Sequence, residues 1–310
     1  MKRSTKRRLL RWATGALVRP LLRGFAIGGL GLLTLLLLAY LGLCWQRPPR
    51  TPLVRQIFQG VIYAREILTT PRPVVIHVVT LDLKVPGLKV LVTPGDPAQG
   101  GEVLAQTTTE FLQRYGLQLA INGGYFRPFY SHTPLDYYPH SGDPVRVIGL
   151  AMSNGIPYAE PGTKEPVLCI RSDNRAEIRR VYCSPETVQA LSGNFMLLER
   201  GVPIAPRDHY VEPRTFACVD ITGYVLHLFL VDGRQPFYSE GLKLSELSEL
   251  ARGKGCDMAM NLDGGGSTTL VVAEISGPRL LNAPIHTRIP LRQRAVANHL
   301  GIYAQPVPGI

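Results

Sequence analysis

Met258 to Leu262 is a largely apolar run that ends at one carboxylate, Asp263. Gly264-Gly265-Gly266 follow, then Ser267-Thr268-Thr269, then a second apolar run from Leu270. Three consecutive glycines are poorly suited to a helix interior, so the pattern calls for two β-strands joined by a glycine-dense connection. Consecutive glycines also let a backbone approach a ligand closely and point successive N–H groups into one concavity. Two readings stand at this point. One is a hairpin turn with a solvated aspartate. The other is an anion- or hydroxyl-binding nest with a base, nucleophile or acceptor at its lip.

Ala120-Ile121-Asn122-Gly123-Gly124-Tyr125-Phe126 repeats the arrangement: apolar residues, a polar side chain, paired glycines, then aromatics. Asn122-Gly123 alone fits a type I′ hairpin turn. The recurrence favours two glycine-lined strand ends serving one site.

Between them the chain is rich in short apolar runs. Strands are expected over 74–83, 88–92, 117–122, 145–152, 167–171, 178–183, 216–221, 224–232, 257–262, 268–272 and 299–304. The near-continuous apolar run 224–232 implies a strand buried on both faces. Three helices are expected: 103–115, stopped by Gly116; a short one starting at Ser184-Pro185 and running to Leu191; and 244–252, running into Gly253. The 31 glycines and 26 prolines suit a turn-rich β architecture. The fold class is therefore α+β, with mixed β-sheets and a few helices. The loop 127–143 carries Phe129, Tyr130, Tyr137, Tyr138, His132, His140, Asp136 and Asp143. A structureless loop that long is usually functional, and its aromatics suit a sugar-binding rim.

The net charge of +11 is unevenly placed. Lys2, Arg3, Lys6, Arg7, Arg8, Arg11, Arg19 and Arg23 contribute eight basic residues without an acid among them, which leaves the remainder near +3. A charge so small excludes a basic nucleic-acid-binding domain. Residues 24–45 follow without a charge, long enough to span a bilayer as a helix. The positive-inside rule places residues 1–23 as a basic cytoplasmic tail, 24–45 as a transmembrane signal anchor and the rest outside the cytoplasm. The apolar stretch is longer than that of a cleaved signal peptide and lacks a small-x-small cleavage site. Residues 46–73, with Pro48, Pro49, Pro52, Pro71 and Pro73, read as a stalk with a short helix or strand, ahead of a domain over 74–306. Cys169, Cys183, Cys218 and Cys256 allow three pairings, with free thiols as the other reading.

Further segments join the two glycine motifs in one pattern. They are Glu212-Pro213-Arg214-Thr215, Val231-Asp232-Gly233-Arg234, Ser239-Glu240-Gly241-Leu242 and the run from Arg294 to Gly301. Together these resemble the phosphodiester glycosidase family, with its N-P-R-T, V-D-G-R, S-x-G-[LM] and R-x-V-x-N-x-[LI]-G segments. Glu212 departs from the family's asparagine. The resemblance spans roughly residues 74 to 304.

The resemblance implies cleavage between an anomeric carbon and a phosphate oxygen. Glycosidases in general use two carboxylates, one protonated to help the leaving group. A phosphate leaves as a stabilised anion, so charge neutralisation by arginine takes precedence. On this view Asp263 is nucleophile or base, with Asp232 as the other site carboxylate. Arg214 and Arg294 hold the phosphate, helped by N–H groups of Gly264, Gly265, Gly266 and Ser267. Asn122 and Asn298 orient sugar hydroxyls, beside Gly123, Gly124 and Tyr125. Each has a plainer alternative: Asp232 as a turn residue, Arg214 as an ion-pair partner, Arg234 as a structural or rim charge, His299 as a packed histidine. His132, His140 and Asp143 match no strong metal-ligand spacing. No cofactor is expected, with a divalent metal left open.

The expected function is a membrane-anchored, periplasmic or extracellular hydrolase of a sugar-1-phosphodiester in a glycan or glycolipid. Its partners are then that carbohydrate and, through residues 24–45, the lipid bilayer. The alternative is a non-catalytic glycan-binding protein in exopolysaccharide assembly or export, which would tolerate loss of Asp263.

Overall fold

The computed structural model describes residues 28–308, so the basic segment 1–23 and the start of the apolar stretch lie outside the described residues. The described residues fall into two units, one ending at residue 47 and the other starting at residue 48. The described part of the first is helix α1 (Gly28–Trp45), whose mean hydropathy of 1.9 and length are sufficient to cross a membrane.

The second unit is built from antiparallel sheets. An eight-stranded sheet runs in the spatial order Leu53–Phe58, Val61–Leu68, Val74–Asp82, Val225–Val231, Arg214–Val219, Met258–Asn261, Phe195–Glu199, Val202–Pro203. A five-stranded sheet runs Gly277–Leu280, Leu270–Glu274, Leu119–Asn122, His299–Tyr303, Lys89–Val92. A further five-stranded sheet is centred on Thr187–Ser192 and Val167–Arg171. Val79, Leu81 and Leu228 from the first sheet, Ile121 and Leu300 from the second, and Leu168 and Ile170 from the third share one buried cluster. Side chains on a strand alternate between faces. The opposite face of the eight-stranded sheet (Ile76, Phe216, Phe229) packs on Leu244, Leu247 and Ala251 of helix α3 (Leu244–Gly253). Helix α2 (Thr108–Tyr115) covers the first five-stranded sheet with Phe111 and Leu112. Val225–Val231 lies between two partners and is buried on both faces, as its apolar run implies.

Three expectations are corrected. Residues 46–73 are no stalk with a single short element. They supply the edge strand of the eight-stranded sheet and the strand next to it, and Val61 and Tyr63 are buried in the core. The helix expected after Ser184-Pro185 is the strand Thr187–Ser192; the Ser184 carbonyl accepts the Thr187 N–H as a turn, and pairing on both sides overrides the local helix signal. Helix α2 begins only at Thr108, because Thr107 and Glu110 form a capping box there, and Glu102–Leu104 is a strand. Two disulfides, Cys169–Cys183 and Cys218–Cys256, tie the domain.

Candidate active site

The glycine triplet is not a hairpin turn. Met258–Asn261 belongs to the eight-stranded sheet and Leu270–Glu274 to the first five-stranded one, so residues 262–269 cross between the sheets. Leu119–Asn122 ends at the same point. The Asp263 N–H donates to the Gly123 carbonyl at 3.1 Å, and the Asn122 side chain donates to the Asp263 carbonyl at 2.6 Å. The two glycine segments thus meet, and Asp263 stands where the two sheets are sewn together.

The glycines serve close approach. A Cβ on Gly266 would lie 2.7 Å from an Arg294 Nη2 and 3.1 Å from His286 Nδ1. Gly265 has φ +60°, and the Arg234 guanidinium lies 3.2 Å from where its Cβ would be. The connection is therefore bare so that two guanidiniums can lie against it.

The Ser267 hydroxyl donates to an Asp263 carboxylate oxygen at 2.6 Å and accepts from Arg294 Nη1 at 3.0 Å. Arg294 is 8% exposed, donates from Nε to His286 Nδ1 at 3.3 Å, and sits 4.1 Å above the Phe129 ring. Burial lowers the Arg294 pKa to about 10, which leaves it charged at neutral pH. Burial also raises the Asp263 carboxyl above the usual range, against the pull of Arg294, the Ser267 hydroxyl, the Gly264 N–H and Arg234. Burial, with Arg294 and Arg292 close by, depresses His286 to about 3, so its neutral Nδ1 accepts from Arg294.

Around this centre lies a cleft of about 920 Å³. Tyr125, Phe129, Arg214, Arg234, Asp263, Gly264, Gly265 and Arg294 line it. The Tyr125 hydroxyl accepts from Asn261 at 3.1 Å, and burial, then the Asp263 charge, raises its pKa. Arg214 pairs with Asp208 at 2.6 Å and donates to the Tyr210 and Leu242 carbonyls. Arg234 pairs with Glu212, the residue that departs from the family asparagine.

Other expected site residues lie beneath the cleft. Asn122 is fully buried, and its Oδ1 accepts from Thr215 Oγ1 at 2.9 Å and the Thr269 N–H at 3.2 Å. Asn298 is fully buried and accepts the Gly124 N–H at 2.8 Å. Neither lines the cleft, so the expected contact with sugar hydroxyls is corrected: these amides hold the two glycine segments in place. Asp232 is 1% exposed and accepts from His77, from Asn282 at 3.0 Å and from the Ala283 N–H at 2.9 Å. It is a buried acceptor that ties residues 282–283 to the eight-stranded sheet, not a second carboxylate of the cleft. Two of the expected nest donors are also committed: Gly265 N–H to the Pro213 carbonyl and Ser267 N–H to the Gly264 carbonyl. The guanidinium groups of Arg214, Arg234 and Arg294 line the cleft beside them.

Loop 127–143 forms one wall through Phe129, Ser131, His132, Thr133 and Pro134. Its aromatics are mostly engaged internally: Tyr130 stacks on His132 and Tyr138, and Tyr137 meets His286 edge-on. Arg292 clamps the loop by donating to the Pro134 carbonyl at 2.8 Å and the Tyr137 hydroxyl at 2.6 Å. His299 is packed against Phe111 with its ring centroid 4.7 Å away. Among the described residues no three His, Cys, Asp or Glu side chains converge as metal ligands. His286 and Asp208 were invisible to sequence reasoning. Both act through partners made neighbours by the fold.

The phosphodiester glycosidase family model matches residues 115–303, more than half of the chain, including Asp263, Arg214 and Arg294. The chain belongs to the phosphodiester glycosidase family. Among solved structures, the chain is similar to the catalytic domain of zebrafish N-acetylglucosamine-1-phosphodiester alpha-N-acetylglucosaminidase, auto-inhibited by its pro-peptide. The identity is 22%, with 84% of this chain and 87% of that one covered and a TM-score of 0.57. A hypothetical protein from Synechocystis matches at 12% identity, covering 84% of this chain and 64% of that one, with a TM-score of 0.57. At such identities these two likenesses establish the fold. A comparison with curated protein sequences gives no match.

Proposed function

We propose that this member of the family hydrolyses the bond between an anomeric carbon and a phosphate oxygen in a glycan or glycolipid, outside the cytoplasm, anchored by residues 24–45. The observation that carries the reading is the Asp263–Ser267–Arg294 bridge on the floor of an arginine-lined cleft. A carboxylate that can attack, or activate water against, a sugar carbon stands one hydroxyl away from a buried cation that can take the leaving phosphate. Arg294 and Arg214 neutralise the phosphate, which departs as a phosphomonoester when the C1–O bond breaks. The departing anion needs no proton from a second carboxylate, and Asp232 is not placed to give one. Tyr125 and Phe129 supply flat surfaces beside the reacting centre. Two disulfides suit an oxidising compartment, and α1 has the length of a bilayer span.

The test is turnover of an N-acetylglucosamine 1-phosphodiester, and of diesters of other sugars, by the parent chain and by Asp263→Asn. Free sugar and phosphomonoester from the parent alone supports the reading. Binding without release from any diester, undiminished in Asp263→Asn, would favour a glycan-binding protein instead.

A further inference from the structure

The charges lining the cleft divide into an inner and an outer set. Inside, each guanidinium has a carboxylate: Arg214 has Asp208, Arg234 has Glu212, and Arg294 reaches Asp263 through Ser267. Two further arginines line the same cleft, Arg207 and Arg288. Both are exposed, and neither guanidinium makes a hydrogen bond or ion pair among the described residues. The cleft therefore carries two cations in excess of its anions, and these two are its exposed ones.

The backbone that carries each is held by its neighbours. Arg288 has φ +64° and follows Thr287 at φ +52°, a conformation that L side chains other than Asn and Asp rarely adopt. That turn is held by the Arg288 N–H on the Ile285 carbonyl and the Ile289 N–H on the His286 carbonyl, and Arg292 donates to Thr287 Oγ1 at 2.9 Å. Arg207 precedes Asp208, whose two oxygens accept from the Leu244 N–H at 2.9 Å and from Arg214. The cleft, about 920 Å³, also lies at the large end of ligand sites and has room beyond one sugar and one phosphate.

We propose that Arg207 and Arg288 form a second anion subsite in the outer cleft, which recognises a phosphate or carboxylate carried by the aglycone beyond the bond that is cut. The preferred substrate is then an anionic oligomer, such as a glycan with repeating phosphodiesters, over a diester with a neutral aglycone. This rests on the phosphodiester glycosidase reading of the inner site. Guanidinium supplies the bidentate geometry such groups need.

The experiment uses the full chain in detergent and has a binding arm and a kinetic arm. In the first, orthophosphate and tripolyphosphate are titrated calorimetrically against the parent and against Arg207→Gln/Arg288→Gln. The parent is expected to bind tripolyphosphate at least about tenfold tighter than orthophosphate, with most of that ratio lost in the double variant and partly restored by Arg207→Lys/Arg288→Lys. In the second, two sugar 1-phosphodiesters are compared, with propanol or phosphopropanol as aglycone. The parent's kcat/KM should favour the phosphorylated one, and the double variant should lose that preference. An unchanged ratio in either arm overturns the subsite. No turnover of either diester, with the binding ratio still lost in the double variant, would count against the inner-site reading and leave the subsite standing.

Discussion

Asp263 and Arg294 make no direct ion pair; the Ser267 hydroxyl joins them, 2.6 Å from the carboxylate and 3.0 Å from the guanidinium. A hydroxyl between two opposite charges leaves both partly uncommitted. The guanidinium keeps donors for a phosphate, and the carboxylate keeps an oxygen for a sugar carbon or a water.

Ser267→Ala should therefore lower kcat/KM by roughly tenfold to 100-fold. It should also move the acid limb of the pH profile upward, because the serine hydrogen bond holds the Asp263 carboxyl down against burial. The parent's acid limb is itself expected above the ordinary carboxylate range, near 4. A pH–rate profile of both proteins checks this; an unmoved limb would show that Asp263 is not the group titrating.

Asp263→Asn should lose activity by about 100-fold or more while gaining stability. A carboxyl whose folded pKa is raised contributes stability below its unfolded value and loses that contribution as pH rises through its folded value. Wherever it is ionised, Asp263 thus weighs against the fold. The variant's melting temperature relative to the parent's is expected to rise as pH increases through the folded value, with the gain vanishing below about pH 4, the unfolded carboxyl value.

Much of this arrangement was legible in the residues. The glycine-rich ends at Asn122-Gly123-Gly124 and Asp263-Gly264-Gly265-Gly266 stood out as either turns or places of close backbone approach, and they meet. What the pattern could not resolve was the side of the chain each polar group faces. Asp232, Asn122 and Asn298 belong to the same set of motifs as Asp263 and Arg294, yet they point into the interior and satisfy buried donors and acceptors. Asp208 carried no signal at all, since its partners Arg214 and Leu244 become neighbours only when the sheets and α3 assemble. The strand Thr187–Ser192 was hidden behind a local helix-start sequence that pairing overrules.

Asn122→Ala should act on stability, not on substrate affinity. It removes one acceptor and one donor that together serve Thr215, Thr269 and the Asp263 carbonyl, leaving buried groups unsatisfied at a cost of about 2–4 kcal/mol. Denaturant unfolding checks the loss, and the folded fraction should keep the parent's KM.

His299 and His286 give the domain an acid limit. Burial depresses both to about 3, so each stabilises the fold above its unfolded value near 6.5 and loses that contribution as pH falls toward 3. The melting temperature should decline from pH 6.5 to pH 4, and His299→Gln should make that decline shallower even if the variant starts lower.

Reduction should cost the domain more through one disulfide than the other. By loop length, opening Cys218–Cys256, which spans 38 residues, should cost about 4 kcal/mol, and Cys169–Cys183, which spans 14, about 3 kcal/mol. Unfolding of Cys218→Ser/Cys256→Ser and Cys169→Ser/Cys183→Ser separates the two.

The most direct test of the central claim is hydrolysis of a sugar 1-phosphodiester by the parent chain in ¹⁸O-water, with mass analysis of both products. Attack at the anomeric carbon, the role given to Asp263, puts the label on the sugar and leaves the phosphomonoester unlabelled. Label in the phosphate would mean that the P–O bond breaks instead, and would contradict the account.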